Sequence, residues 1–120
     1  MNFNEYQKKA QTTAQFPTDI TLHVSTYYEN PLPWIYPAIG LAGETGELLN
    51  KLKKVIRDNE GVITENMNMM IIDEIGDVMW YIAMLCNTLG YDMDIVMNRN
   101  VSKLAERMKN NTIKGNGDNR

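Results

Sequence analysis

Apolar positions along the chain recur at helical rather than strand spacing. In the segment Phe3–Ala14, Phe3, Tyr6 and Ala10 fall on one side, Asn4 or Asn2 can cap the start, and Pro17 closes it. From Phe16 to Tyr36 the periodicity is lost. Pro17, Pro31 and Pro33 alternate there with Tyr27, Tyr28, Trp34 and Tyr36, so the stretch reads as a loop laid over the core or walling a pocket. A second helix is expected from about Ala38 to Arg57, where Leu41, Leu48, Leu52, Val55 and Ile56 keep intervals of three, four and seven. Gly40, Gly43 and Gly46 lie inside it. Each costs about 1 kcal/mol of helix propensity relative to Ala, so the row implies close approach of another helix. After a connection over Asp58–Glu65, a helix over Glu65–Leu89 is apolar nearly all round, which places it centrally in a bundle or at an oligomer interface. Gly90 then suits a C′ position and Asp92 an N-cap for a last helix, Met93–Lys109, with the stripe Met97, Val101, Leu104, Ala105 and Met108.

No segment alternates with period two for long enough to suggest a sheet. The expectation is a single all-α domain over residues 1–120, a compact bundle of three to four main helices, with 112–120 a loop-like tail. A central helix apolar on most sides has few other elements in 120 residues to cover it, so a homo-oligomer is the economical solution.

Composition narrows the function. Fifteen acids against 12 bases give a net charge of −3, with no basic excess for binding a nucleic-acid polymer, though a local phosphate site remains open. One cysteine, Cys86, and one histidine, His23, exclude an intramolecular disulfide and a Cys/His zinc site, and fit a reducing, cytoplasmic setting. No apolar run approaches the roughly 20 residues that cross a bilayer, and the polar start MNFNEYQKK is unlike a signal peptide. No membrane partner is expected.

The chemistry lies in charged residues at helical spacing. Glu44, Glu47, Lys51 and Lys54 form one stripe, and Glu74, Asp77 and Tyr81 another. Glu74 and Asp77 sit among Ile71, Ile72, Ile75, Val78 and Met79, where an isolated carboxylate is expensive. Two such pairs on adjacent helices offer up to four carboxylates to Mg²⁺ or Mn²⁺. The alternative for the first stripe is a wet surface on which Glu44 and Glu47 pair with Lys51. Asn100, Lys103 and Arg107 form a polar, basic stripe on the last helix, either a solvated face or a phosphate contact. A ferritin-like di-iron site fails, since it needs Glu-x-x-His on two helices and His23 lies elsewhere. His23 reads as an ordinary loop residue, with a contact to a nucleobase as the other possibility.

The runs GLAGETGELLNKLKK and DEIGDVMWYIAMLCNTLGYDMDIVMNRNVSKLAER resemble the MazG-like nucleoside triphosphate pyrophosphohydrolases of the all-α NTP pyrophosphatase superfamily. The ends FNEYQKKAQTTA and IKGNGDNR look like its small stand-alone members. The family pattern, ExxE then ExxD, falls on Glu44, Glu47, Glu74 and Asp77. The resemblance implies cleavage of an NTP or dNTP between the α and β phosphates, with Mg²⁺ (Mn²⁺ substituting) on these four acids. It implies Glu47 as the base that takes the proton, and Glu74 as an acid whose loss abolishes activity. Lys51, Lys54, Lys103 and Arg107 would offset phosphate charge, Tyr81 and Asn100 match positions near the substrate, and Trp34 or another loop aromatic would stack on the base. Where many members carry a further Glu directly before the first motif, this chain has Gly43. Sites shared between chains, as homodimers or homotetramers, are also implied. Two other readings stay open: a non-catalytic helical nucleotide-binding or oligomerisation module, and the same chemistry on a guanosine alarmone or modified nucleotide.

Overall fold

The computed structural model describes residues 1–18 and 32–117. Four helices follow one another: α1 (Phe3–Gln11), α2 (Ile35–Asn59), α3 (Glu65–Leu89) and α4 (Met93–Lys109). Among the described residues there is no strand, and no helix is long and apolar enough to cross a membrane.

Local chemistry sets the boundaries. Asn2 caps α1 with a capping box, its side chain accepting from the Glu5 N–H while Glu5 accepts from the Asn2 N–H. The helix stops at Gln11, earlier than Ala14, because the Thr12 and Thr13 hydroxyls bond the carbonyls of Lys9 and Ala10 and the chain tightens into i→i−3 turns. Conversely α2 starts three residues before Ala38. Pro37 lies in its first turn, where backbone N–H groups have no intrahelical acceptor, so a proline there sacrifices no hydrogen bond. Thr64 caps α3 by accepting from Met67 N–H, and Gly90, at φ 75°, ends it in the left-handed conformation. Asp92 stands at the N-cap of α4 without a capping bond from its side chain. That work passes to α1: Gln7 Oε1 accepts from Met93 N–H at 3.0 Å and Asn4 Oδ1 from Asp94 N–H at 3.1 Å.

Helices α2 and α3 form the long antiparallel pair, with α1 packed between α3 and the start of α4. Ala10, Ala83, Met84, Cys86 and Met93 make the buried core, flanked by Tyr6, Phe16, Met79, Trp80 and Met97. It occupies only the end where α1, the second half of α3 and the first turns of α4 meet. Beyond Met97 the apolar stripe of α4 is open, with Val101 65% and Met108 73% exposed, and Met70, Ile72 and Ile75 of α3 are open too. The protomer exposes 9190 Å². A compact monomer of 13.8 kDa would expose about 6,600 Å².

Candidate active site

The acids of α2 and α3 meet across the helix pair. Glu44, one turn along α2 from Gly40, faces Glu74 and Asp77, which lie one turn apart on α3. Each offers a carboxylate oxygen, and these oxygens lie within 4.8 Å of one another. Glu74 is 6% exposed, Glu44 half-buried and Asp77 exposed. The approach that allows this is visible one turn away, at Gly40. A β-carbon there would stand 2.1 Å from Cε1 of Tyr81, so only a glycine lets α2 lie this close to the ring. Gly43 and Gly46 have open space around them within the protomer.

Crowding of like charge shows in the titrating groups. Burial first, then Glu47, Asp77 and Glu74, push the Glu44 carboxyl above its ordinary range, with Lys51 pulling the other way. Tyr81 is pushed up by burial, by its neighbour Tyr36 and by Glu44 and Asp77; Tyr6 is pushed up by burial and by Asp77. Lys51 reaches across to α3 rather than along its own helix. Its ammonium donates to Glu74 Oε1, and this pairing holds its pKa above the usual lysine value. The other oxygen, Glu74 Oε2, is buried with no hydrogen-bond partner among the described residues. Three clustered carboxylate oxygens and one orphaned buried oxygen fit a hard divalent cation such as Mg²⁺ or Mn²⁺, which takes oxygen ligands and removes the cost of an unpaired buried charge.

The remaining expected residues are distributed unevenly. Glu47 is exposed and outside the trio, lining an open hollow with Gly43, Gly46, Leu49, Asn50 and Lys53, though its charge is felt by Glu44 and Lys51. Lys51 and Lys54 line a hollow of about 270 Å³ between α2 and α3, floored by Val55, Met67, Met70 and Ile71. Asn100 and Lys103 line a different hollow with Val96 and Arg99, and Arg107 is buried on α4. Within one protomer this stripe is not brought to the carboxylates. A larger hollow, about 690 Å³, lies at the α1–α3–α4 junction, and neither Glu44, Glu47, Glu74 nor Asp77 lines it. Trp34 is exposed at the start of α2. The ring contacts among the described residues run instead through Phe16, stacked on Tyr36 at 5.2 Å, and through Trp80, edge-on to both Phe16 and Tyr81. Trp80 Nε1 donates to Thr13 Oγ1 at 2.7 Å, tying this cluster to the end of α1. His23, Tyr27 and Tyr28 lie outside the described residues.

Residues 38–112, which include Glu44, Glu47, Glu74 and Asp77, match the model of the MazG nucleotide pyrophosphohydrolase domain. The chain belongs to this family. It is also 47% identical over 85 residues to the Gene 37 protein of Mycobacterium phage L5, covering 71% of this chain and 75% of that protein. No solved structure matches it. This MazG domain is all-helical, and its family membership implies nucleotide pyrophosphohydrolase activity in general terms.

Proposed function

We propose that the protein hydrolyses a nucleoside triphosphate, NTP or dNTP, between the α and β phosphates, releasing a nucleoside monophosphate and pyrophosphate in control of cytoplasmic nucleotide pools. The observation that carries this reading is the trio Glu44, Glu74 and Asp77, with a buried oxygen of Glu74 left without a partner. These three would hold Mg²⁺. When bound, the ion neutralises phosphate charge and acidifies the attacking water. Glu47, exposed and outside the trio, is the acid free to take that water's proton as its oxygen bonds to the α-phosphorus and the bridging oxygen leaves with pyrophosphate. Lys51 and Lys54 offset charge on the leaving group from the hollow beside the acids. The Tyr36–Tyr81 side of the site offers aromatic faces for the nucleoside.

A second copy would complete the assembly. The protomer carries about 2,600 Å² more surface than a compact chain of its mass, against roughly 800 Å² per partner in a standard interface. Asn100 and Lys103 would then serve a neighbouring copy's site rather than their own.

The test is Glu74→Gln, which keeps the shape of the side chain and removes its charge. With Mg²⁺ and a panel of triphosphates, pyrophosphate release should fall by at least about a hundredfold while the far-ultraviolet circular dichroism stays native. Full activity in that variant sinks the site assignment. Orthophosphate as sole product sinks α–β cleavage.

A further inference from the structure

Lys51 holds a place in the site that its position on α2 does not explain. A lysine seven residues after Glu44 and four after Glu47 is ideally spaced to pair along its own helix. It pairs instead with Glu74 of α3, the most buried of the acids. We infer that Lys51 is an internal counter-cation of the carboxylate site, occupying Glu74 until a divalent ion takes its place. The inference rests on the metal reading of the trio given above.

The physical case is one of incomplete compensation. Three carboxylates converge, with an oxygen of each within 4.8 Å of the others, so like charge is crowded there. A single ammonium bonded to one oxygen of Glu74 offsets part of that repulsion and leaves the other oxygen buried and unpaired. A doubly charged ion shared by the trio does both jobs. The two cations compete, because the oxygen that Lys51 bonds belongs to a carboxylate the ion needs. Lys51 also has somewhere to go: it lines the hollow that Lys54 shares, so its side chain can leave Glu74 without leaving the site. Loading would thus exchange one cation for another and release an ammonium towards the space where leaving phosphates would lie.

The consequence has a sign that a purely structural salt bridge would not give. Removing Lys51 strengthens metal binding. The probe is Mn²⁺ alone, without nucleotide, with the free ion counted by electron paramagnetic resonance. Lys51→Met keeps the length of the stem without the charge, and should bind Mn²⁺ roughly tenfold more tightly than the native chain, the scale of one charge-assisted hydrogen bond. Lys51→Arg, which keeps the charge, should stay near native affinity. If Lys51→Met does not fold, Lys51→Gln, uncharged and one bond shorter than lysine, carries the same expectation of tighter Mn²⁺ binding. Unchanged or weaker Mn²⁺ binding in the neutral variant overturns the inference while leaving the metal site standing. A native chain that takes up no Mn²⁺ overturns the metal reading itself, and this inference with it.

Discussion

Gly40 is the position where a single methyl group tests the packing argument most sharply. A β-carbon there would lie 2.1, 2.4 and 2.6 Å from Cε1, Cζ and Cδ1 of Tyr81, where ordinary contact begins at 3.4 Å. The ring must therefore retreat by more than about 1 Å, or α2 must lift away from α3. Retreat is obstructed: Trp80 stands edge-on to the ring at 5.0 Å, and Trp80 is itself anchored by its bond to Thr13. Overpacking of this kind costs about 1–3 kcal/mol. Replacing a mid-helix glycine by alanine returns about 1 kcal/mol of propensity. With three ring atoms inside 3 Å, the clash should win, leaving Gly40→Ala destabilised by about 1–2 kcal/mol, or roughly 4–8 °C in Tm. Urea unfolding of the metal-free protein measures the first and a thermal melt the second. The ring is the proposed cause, so the same substitution in a Tyr81→Ala background should cost nothing, or stabilise by up to about 1 kcal/mol. A Gly40→Ala protein as stable as the native one, or a cost that survives removal of the ring, would refute the reasoning.

Two further outcomes follow from the same geometry. Tyr6 and Tyr81 hold their phenolic protons above the ordinary tyrosine value, through burial first and nearby charge second. The unfolded chain gives those protons up earlier, so on their account stability falls as pH climbs beyond that value. An alkaline absorbance titration should show late-ionising phenols, with Tyr6→Phe and Tyr81→Phe each removing one; a titration unaltered by both would contradict the placement of these rings beside Asp77. The open faces of α3 and α4 give the other expectation. Sedimentation equilibrium at micromolar concentration should return at least twice 13.8 kDa, and a lone protomer would show that the exposed stripe from Val101 to Met108 tolerates water unaided.

Periodicity carried the fold further than it carried the site. The bounds of α3 and α4 were readable because each is a continuous helical pattern closed by residues whose local chemistry is strong, Gly90 above all. The start of α2 was not, because Pro37 looks like a breaker in sequence and becomes harmless only once it is known to sit in a first turn. The trio Glu44, Glu74 and Asp77 was legible for a similar reason: acids three apart inside an apolar run announce a face that must meet something. What stayed hidden were pairings between distant segments. Spacing offered Lys51 a partner on its own helix as one of two readings, and neither anticipated its bond across to Glu74. The stack of Phe16 on Tyr36 joins two residues that no period relates. Gln7 had a signal that was missed: it shares the buried side of α1 with Ala10, and a polar group there needs partners. It finds three, donating to Asn87 Oδ1 and Tyr91 O and accepting from Met93 N–H.

The helices divide stability and chemistry between two ends. Among the described residues, Ala10, Ala83, Met84, Cys86 and Met93 are buried where α1, α3 and α4 meet, and α2 buries Pro37 and Val55. Along its length α2 is held to α3 by Val55, by the close passage of Gly40 over Tyr81 and by the pair of Lys51 with Glu74, while the stack of Tyr36 on Phe16 ties it to the segment after α1. Against these stands the mutual repulsion of Glu44, Glu74 and Asp77. Hydrophobic burial is roughly additive in area and indifferent to pH or ions, so the core end should hold its shape under most conditions. The α2 end is a balance of charge, and a ligand that binds only the folded arrangement shifts that balance by mass action. A cation drawn in by the three acids would therefore tighten the weaker half of the molecule, the half that must rearrange if Lys51 is to leave Glu74. Placing few apolar contacts around the acids keeps that rearrangement inexpensive, because little buried area is disturbed when the ammonium moves.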